Sequence, residues 1–567
     1  MEDRKKVVVI GGVACGPKAA ARIKRLKPET EVTIIEKGEL LSYAGCGLPF
    51  YISGEVHSHN ELMSTPAGVV RDTHFFKVVK DINVHNHTLV ESVDRKNKIV
   101  KAVKTDTGEP IEFPYDTLVL AVGSKTTVPP IEGTDLKGVH FLQTVEDARK
   151  IKNESGSLAG KNAVIIGAGL IGMEVTEALK KRGLNITLVE RLDTAMGQLL
   201  DPEIAYHVHQ ELKANGVSLV LGKTVEKIMG DDAGNVKKVI TDAGEVPADI
   251  VLIAVGVRPN IRLAKEMGLE IGKTGAIAVD HHMRTSDPDI YAGGDCVENN
   301  NLVTGKPLYV PMGSTANKHG RVIGDNICGI PTEFKGVLGT AICKVFHMNV
   351  ARTGLSEIQA KNEGYDYITV LNPAPDKPHF IPGAKLIILK FIVDKKTGKL
   401  LGAQMVGPGD VAKRMEIAVT HMTSGSRVTE IGHYDLAYAP PFSPAMDNII
   451  TTANIAENKL HGIASAYTPY EVKQKLENGD DFILLDVRSP EEFEQLGIAD
   501  DRVKLIPLGQ LRKRLEELPR DKEIVTFCKI SLRGYEAERI LAGEGYKNVK
   551  FLDGGIACWP FEKRTIV

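Results

Sequence analysis

The sequence feature that most limits the fold of this 567-residue chain is a unit that occurs twice. Each copy has an apolar strand, a glycine-rich turn, a predicted helix, and a second strand that ends in an acid. The turns are Gly11-Gly-Val-Ala-Cys-Gly16 and Gly167-Ala-Gly-Leu-Ile-Gly172, and the helices are predicted over Lys18–Leu26 and Met173–Lys181. Continuous apolar strands that alternate with helices are typical of a parallel sheet covered on both faces. The chain therefore contains two α/β domains of the doubly wound type.

The second turn has the complete G-x-G-x-x-G pattern, formed by Gly167, Gly169 and Gly172. These glycines allow a tight turn, close approach of the backbone to a pyrophosphate, and close helix packing. The following helix offers N–H donors to the phosphates, and Glu190 suits a ribose 2′-hydroxyl. We expect this unit to bind NADH; the adjacent Arg191 leaves NADPH open. The alternative is a purely structural glycine turn.

The first turn is less regular because Val13 occupies the middle glycine position. Since two such units imply two nucleotides, we expect FAD here and NAD(H) at the second unit. The motif Gly294-Asp295 supports FAD, because an acid after a strand and two glycines could hold the ribityl chain. The predicted cofactor contacts outside the second turn are Gly11, Gly12, Gly16, Glu36, Lys37, Val90, Gly123, Gly256, Gly294 and Asp295.

Two similar apolar runs, Thr117–Gly123 and Ile250–Gly256, each end in Ala-Val-Gly, and we expect the chain to pass between the nucleotide-binding domains at these points. The predicted boundaries are 1–117 and 248–328 for the FAD domain, 118–247 for the NAD(H) domain, 329–455 for a third domain of mixed strands and helices, 456–468 for a linker and 469–567 for a small α/β domain.

Composition excludes several other classes of protein. With 71 Lys and Arg against 73 Asp and Glu, the chain has no overall charge that would attract nucleic acid or an anionic membrane. No apolar run reaches the roughly 18 residues of a membrane span. Seven cysteines do not form a disulfide scaffold in so long a chain, and reduced thiols fit a cytoplasmic protein. No His and Cys spacing predicts a metal site.

The segment Ser42-Tyr-Ala-Gly-Cys46-Gly-Leu-Pro49, together with both turns, resembles the pyridine nucleotide-disulfide oxidoreductases. The resemblance covers residues 6 to about 455 and implies an FAD enzyme that works as a homodimer. Many members have a Cys-x4-Cys pair, but position 41 is Leu here, so Cys46 is a single redox cysteine. A single cysteine must cycle through a mixed disulfide, a persulfide or a sulfenic acid.

Single-cysteine relatives fall into two groups. NADH oxidases and peroxidases have a His where this chain has Ala14, which argues against peroxide chemistry. The CoA-disulfide reductases lack that His, and the resemblance to them implies bound coenzyme A and a tyrosine, Tyr438, that reaches the partner's Cys46. Their second active-site tyrosine corresponds to Phe380, which counts against efficient reduction of CoA disulfide. The candidate CoA-binding residues are Arg22, Lys24, Arg25, Ser42 and Phe380.

The last 100 residues resemble a rhodanese domain, through the runs that begin at Ile483, Thr526 and Leu552. Cys528 ends an apolar strand, and Arg533 opens a helix. The loop between them, Lys529, Ile530, Ser531 and Leu532, can turn its N–H groups onto a sulfur anion. The Cys-x4-Arg spacing is that of sulfur transfer; phosphatases have Cys-x5-Arg. We expect Cys528 and Arg533 to act in catalysis, together with Cys46 and Tyr438.

The whole chain thus resembles CoA-disulfide reductase–rhodanese fusions, including NADH-dependent persulfide reductases. The fold class that this resemblance implies is α/β with two Rossmann-like nucleotide-binding domains, an α+β dimerisation domain over 329–455 and a C-terminal rhodanese α/β domain over 469–567. The predicted activity is NAD(P)H-dependent reduction of CoA persulfide, polysulfide or delivered sulfane sulfur to hydrosulfide, through a Cys46–CoA mixed disulfide. One alternative is CoA-disulfide reduction with an accessory rhodanese domain. Another is a sulfur carrier or redox sensor that passes persulfide to a protein partner.

Overall fold

The computed structural model describes residues 4–564, which divide into two compact units. The first unit comprises residues 4–193 and 216–337, and the second comprises 194–215 and 338–564. Helix α7 (Pro202–Ala214) therefore belongs to the second unit, although it lies within the segment 118–247 that the sequence predicts to bind NAD(H).

The helices of the first unit are α1 (Cys15–Leu26), α2 (Leu48–Ser53), α3 (His59–Met63), α4 (Thr73–Lys80), α5 (Val145–Ser155), α6 (Leu170–Lys181), α8 (Arg262–Glu266) and α9 (Gly313–Ile327). Its strands are β1 (Lys6–Ile10), β2 (Glu31–Ile35), β3 (Asn83–His85), β4 (Thr88–Asp94), β5 (Ile99–Lys104), β6 (Pro110–Pro114), β7 (Thr117–Leu120), β8 (Ser124–Thr126), β9 (Val139–His140), β10 (Asn162–Ile166), β11 (Asn185–Glu190), β12 (Val217–Leu221), β13 (Val225–Gly230), β14 (Val236–Thr241), β15 (Gly244–Pro247), β16 (Ile250–Ile253), β17 (Val257–Pro259), β18 (Ile290–Ala292), β19 (Asn299–Asn300) and β20 (Pro307–Leu308).

The first unit contains two parallel five-stranded sheets, in the orders β18-β7-β1-β2-β3 and β12-β11-β10-β16-β9. Their central strands β1 and β10 are almost wholly buried Val, Ile and Ala, as expected for strands covered on both faces. Strand β16 pairs with β10 of the second sheet, whereas the predicted boundary at 248 assigns it to the FAD domain. Strand β7 pairs with β1 of the first sheet, whereas the predicted boundary at 118 divides it between two domains. The connecting strands β8 and β17 pair with each other, where the chain crosses between the sheets.

The other helices of the second unit are α10 (Glu357–Asn362), α11 (Val411–Ser424), α12 (Asn448–Leu460), α13 (Pro469–Glu477), α14 (Pro490–Gln495), α15 (Leu508–Leu511) and α16 (Leu532–Gly543). Its strands are β21 (Ala341–Val345), β22 (Met348–Gly354), β23 (Tyr367–Pro375), β24 (Leu386–Asp394), β25 (Leu400–Gly407), β26 (Ala466–Tyr467), β27 (Phe482–Asp486), β28 (Gly497–Ile498), β29 (Val503–Leu505), β30 (Glu523–Phe527), β31 (Val549–Leu552) and β32 (Lys563–Arg564).

The second unit combines an antiparallel sheet with a parallel one. The antiparallel sheet has the order β21-β22-β25-β24-β23, and α11 and α12 pack on its buried central strands. The parallel sheet has the order β26-β31-β30-β27-β29, and its strand β30 leads directly to Cys528. Together with the two Rossmann-like sheets, these domains confirm the predicted fold class. Among residues 4–564, no helix combines the length and apolar character needed to cross a membrane.

Candidate functional site: two nucleotide turns and two cysteines

The first glycine turn and Glu36 form a compact hydrogen-bonded unit. Glu36 Oε2 accepts a bond from the Gly12 N–H (2.7 Å), and its Oε1 accepts one from the Gly38 N–H (2.9 Å). A Cβ on Gly16 would lie 1.9 Å from the Gly11 carbonyl oxygen, so only glycine lets the helix start this close to the turn. Helix α1 begins at Cys15, earlier than predicted, so the last residues of the turn form its first turn of helix.

The second turn repeats this arrangement. Glu190 Oε2 accepts a bond from the Ala168 N–H (2.8 Å) and Oε1 from the Leu192 N–H (2.9 Å), and α6 begins at Leu170, also earlier than predicted. A Cβ on Gly172 would lie 2.0 Å from the Gly167 oxygen. A Cβ on Gly169, in contrast, would meet no atom within 4 Å. The turn therefore leaves open space where the dinucleotide pattern predicts the pyrophosphate to approach the backbone.

Asp295 lies just beyond β18, as the sequence predicts. Its Oδ2 accepts a bond from the Ser124 hydroxyl (3.3 Å), and its carbonyl accepts one from the Tyr309 hydroxyl (3.0 Å). Burial raises the pKa of Asp295, an effect that the Ser124 bond partly opposes. The preceding residue, Gly294, donates its N–H to Nδ1 of the buried His319 on α9 (3.1 Å). The sequence reasoning missed His319, whose ring holds this turn by accepting the Gly294 N–H.

The remaining predicted cofactor residues lie in different surroundings. Lys37 is exposed directly after Glu36, whereas Val90 is buried in β4 and its carbonyl accepts a bond from Arg262 (2.7 Å). Gly123 and Gly256 both have positive φ, and they lie just before β8 and β17. The structure therefore places this last pair at the crossing between the two sheets.

Cys46 is exposed in a 3₁₀ turn, Gly45–Gly47, just before α2. Its Sγ lies 3.9 Å from the position that a Cβ on Gly313 would occupy, so the thiol is beside the first residue of α9. The turn is tied back to the first glycine turn, because the Ser42 N–H donates to the Gly12 carbonyl (2.8 Å). Ser42 adopts a φ of +50° at this point. The geometry thus connects Cys46 to the predicted flavin region.

Two carboxylates influence the thiol. The pKa of Cys46 is raised, first by desolvation and then by the charges of Glu174 on α6 and Asp295. Burial and the charge of Glu177 in turn raise the pKa of Glu174 to about 7. The sequence reasoning missed Glu174, although it follows the second turn by two residues. With its pKa near 7, Glu174 changes charge around neutral pH, and that charge acts on the pKa of Cys46.

We expect E174Q to alkylate faster than wild type at Cys46. Above about pH 7 the wild-type carboxylate is charged and raises the pKa of Cys46, so its removal increases the thiolate fraction. At pH 8 the rate with iodoacetamide, followed by mass spectrometry of the Cys46 peptide, should rise about threefold; near pH 6 the two proteins should converge. E112Q, which alters an exposed ion pair with Lys101, is the control. Equal rates at pH 8 would contradict the assignment.

The structure does not bring Arg22, Lys24 and Arg25 together as a free cationic cluster. Arg22 is paired with Asp325 (2.5 Å), and Lys24 is paired with Asp81 (2.7 Å) and also bonds main-chain oxygens. Arg25 is exposed. Of the three basic residues among the predicted CoA contacts, two already have carboxylate partners, which a sequence without tertiary contacts could not reveal.

Helix α9 provides a second polar face that the sequence reasoning missed. Asn317, Lys318 and Arg321 are exposed along it, and it begins at Gly313 beside Cys46. Arg321 is a helical turn from Asp325, the partner of Arg22, and is itself 3.8 Å from that carboxylate. At 1.5 Å per residue, Arg321 lies about 12 Å along the helix from Gly313. The face therefore leads from the thiol to a pair of arginines.

Tyr438 and Phe380 belong to the second unit. Both side chains are exposed, by 53% and 66% respectively, and Phe442 and Met446 near Tyr438 are exposed apolar side chains as well. The predicted contact of Tyr438 with the partner subunit's Cys46 and the predicted contact of Phe380 with CoA both stay predictions.

Cys528 follows β30 and is fully buried, in contrast to Cys46. Its carbonyl accepts a bond from the Ile556 N–H (3.0 Å), and the Lys529 carbonyl accepts one from the Ala557 N–H (2.9 Å). A buried ion pair, Arg488 with Asp486 (2.7 Å), lies at the end of the adjacent strand β27. The sulfur loop, residues 528–533, is therefore held by main-chain bonds to a neighbouring turn.

Arg533 links the cysteine to an acid. Its guanidinium makes a bidentate pair with Glu492 on α14 (2.7 and 2.8 Å), and the pKa of Arg533 is raised, first by Glu492 and also by a bond to Cys528. The same pair lowers the pKa of Glu492 to about 2. Sequence reasoning missed Glu492, although it lies in the Ser489-Pro-Glu-Glu-Phe493 run that supports the rhodanese resemblance. The acid neutralises much of the charge that the arginine would offer to an anionic donor.

Three family models match this architecture. Residues 5–315 match the pyridine nucleotide-disulphide oxidoreductase family, residues 340–450 its dimerisation domain, and residues 468–560 the rhodanese-like domain. The chain belongs to the pyridine nucleotide-disulphide oxidoreductase family. The predicted resemblance is confirmed, and so is the assignment as an oxidoreductase. The dimerisation domain of this family is consistent with a homodimer.

Relatives in this family include an NAD(P)H coenzyme A polysulfide/persulfide reductase of Pyrococcus horikoshii, 39% identical over 452 residues, or 80% of this chain and 98% of that protein. A solved NAD-dependent persulfide reductase from A. fulgidus is 46% identical, with a TM-score of 0.93 and coverage of 98% of this chain and 100% of that one. The reduced Bacillus anthracis CoADR-RHD is 35% identical, with a TM-score of 0.92 and 98% coverage of both chains.

Membership of the pyridine nucleotide-disulphide oxidoreductases implies FAD and NAD(P)H as cofactors. The chain's residues fit both groups. Each turn has an acid that orders its backbone, each has a helix that begins within it, and the space in front of Gly169 is open. The first turn and Asp295 would hold FAD, and the second turn with Glu190 would hold NAD(P)H.

Proposed function

We propose that this chain is an NAD(P)H-dependent reductase of CoA persulfide and polysulfide that receives sulfane sulfur at its own rhodanese domain. One observation carries the proposal: two separate single-thiol sites, Cys46 beside the nucleotide turns and Cys528 in a sulfur-transfer loop, lie on one chain. Two relatives named for persulfide or polysulfide reduction support the proposal.

In the proposed cycle the Cys528 thiolate attacks the outer sulfur of a persulfide. Cys528–S⁻ and R–S–SH give Cys528–S–S⁻ and R–SH, so the sulfur atom moves and one thiol leaves. The thiol of CoA then takes this sulfur, which regenerates Cys528 and forms CoA–S–SH. Arg533 pairs with Cys528 during both transfers.

Cys46 performs the reductive half of the cycle. Its thiolate attacks the inner sulfur of CoA–S–SH, the one bonded to carbon, so the S–S bond breaks, Cys46–S–S–CoA forms and HS⁻ leaves. When bound, FAD and NAD(P)H supply the two electrons that cleave this disulfide to the Cys46 thiolate and CoA. Tyr438 of the partner subunit donates the proton to the CoA sulfur, so the active form is a homodimer. Glu174 exchanges protons near Cys46.

The proposed CoA path runs along α9, from Cys46 beside Gly313 to Arg321, which shares Asp325 with Arg22. We expect R321A to raise the KM for CoA persulfide about fivefold with little change in kcat, because a phosphate contact remote from the sulfur stabilises ground state and transition state alike. Steady-state NADH oxidation measures both constants. R514A, which removes a half-buried arginine paired with an acid, is the control. A fall in kcat at unchanged KM would contradict this path.

The test of the proposed function is NADH oxidation compared for CoA persulfide, polysulfide and CoA disulfide. Phe380 has no hydroxyl to protonate a departing CoA thiolate, so the first two are expected to be faster substrates. Preference for CoA disulfide would support the alternative activity, CoA-disulfide reduction.

A further inference from the structure

Ser531 in the sulfur loop has an unusual backbone. Its φ of +80° is the largest among the non-glycine residues with positive φ in residues 4–564, and its ψ of −43° lies outside the left-handed helical region. A Cβ makes such a conformation unfavourable, and glycine would remove the strain. Backbone strain of this kind persists where the surrounding structure and a function require it.

The Ser531 side chain adds a second cost. Ser531 is only 7% exposed, and its Oγ has no hydrogen-bond partner among the described residues. Serine is a favoured residue at the position before a helix because it caps the first N–H groups, but Ser531 makes no such bond to α16. A buried hydroxyl without a partner destabilises a fold. A glycine at this position would have neither the strained backbone nor the buried hydroxyl without a partner.

Three contacts fix where this hydroxyl sits. Ser531 is three residues after Cys528 and two before Arg533, whose guanidinium bonds Cys528. The Ser531 carbonyl accepts the first helical bond of α16, from the Tyr535 N–H (2.9 Å), and the Cys528 carbonyl is held by Ile556 (3.0 Å). Both ends of the loop are thus fixed, and the buried hydroxyl lies in the same six-residue loop as the buried sulfur.

We propose that Ser531 is a catalytic residue of the sulfur-transfer site, whose hydroxyl donates a hydrogen bond to the terminal sulfur anion of the Cys528 persulfide. The inference rests on the proposed function, since it requires that Cys528 accept sulfane sulfur. The group that completes the hydrogen bonding of Ser531 is the transferred atom itself: Cys528–S⁻ plus R–S–SH gives Cys528–S–S⁻ plus R–SH, and the new S⁻ is the acceptor. The hydroxyl stabilises the loaded state and leaves the empty state strained.

Two substitutions separate the hydroxyl from the strain. S531A removes the hydroxyl and keeps the strained φ, whereas S531G removes both and should not lower the Tm of the full holoenzyme. The full chain is loaded with inorganic polysulfide, persulfide at Cys528 is measured by the added mass of one sulfur, and release to cyanide is followed in single turnover across pH. In both variants we expect about a tenfold lower persulfide occupancy at limiting polysulfide, and an acid limb about one pH unit higher.

The outcomes are distinct. Wild-type occupancy and pH profile in either variant would overturn the role of the hydroxyl, because both variants lack it. A change in S531G alone would assign the effect to backbone strain and would also overturn the proposal. If the wild-type chain takes up no sulfur at Cys528, the proposed function and this inference fail together. If the wild-type chain takes up sulfur and the two variants take it up equally well, only this inference fails.

Discussion

Replacing Cys46 with serine is expected to reduce NAD(P)H-dependent release of hydrosulfide from CoA persulfide by about 10³-fold or more. A serine hydroxyl cannot form the mixed disulfide with CoA, and position 41 is Leu, so the chain lacks the other cysteine of the family's Cys-x4-Cys pair. The measurement is hydrosulfide released per NADH oxidised, with CoA persulfide as donor. Loading of Cys528 with sulfur should remain at the wild-type level in the same protein.

The matched control for Cys46 is Cys328→Ser. Cys328 is half-buried, belongs to the same compact unit and lies at the end of α9, where burial raises the pKa of its thiol. The control should retain activity within about twofold, because the substitution is nearly isosteric. Full sulfide release by Cys46→Ser would exclude the proposed reductive half of the cycle.

The features that the sequence could predict are those whose physical cause is local. The glycine turns require glycine because the helix starts within the turn: a side chain on Gly16 or Gly172 would collide with the main chain of its own loop. The loop from Cys528 to Arg533 is likewise a short continuous segment between a strand and a helix. Such constraints can be read from spacing alone, and the predicted parallel sheets follow from the apolar strands beside them.

The features that the sequence could not predict depend on partners that are distant along the chain. Arg22 is the clearest example, because its partner Asp325 is 303 residues away. Arg533 meets Glu492 across 41 residues, and Gly294 meets His319 across 25. Charge alone suggested ligand contacts for Arg22 and Lys24, whereas tertiary structure pairs them with carboxylates. Without those contacts, a basic residue with a structural partner looks the same as one that binds an anion.

Replacing Cys528 with serine is expected to lower the rate of hydrosulfide release far more with one sulfur donor than with the other. Hydrosulfide release from polysulfide should fall by about 10²-fold or more, because the rhodanese thiol is the proposed acceptor of the sulfane atom. The rate of hydrosulfide release from CoA persulfide should stay within about twofold of the wild-type rate. In that substrate the sulfane sulfur is already attached to CoA, the carrier that Cys46 attacks. Parallel assays of NADH oxidation with the two donors measure both rates.

Cys558→Ser is the control in the same domain. Cys558 is fully buried, like Cys528, and burial and then the charge of Asp553 raise the pKa of its thiol, so it is a neutral packing residue. Equal loss with both donors in Cys528→Ser would make the rhodanese site obligatory even for CoA persulfide. Loss with neither would leave it an accessory to Cys46. Because a general loss of stability would lower both rates together, the ratio of the two rates is what separates a sulfur relay between two thiols from two independent activities on one chain.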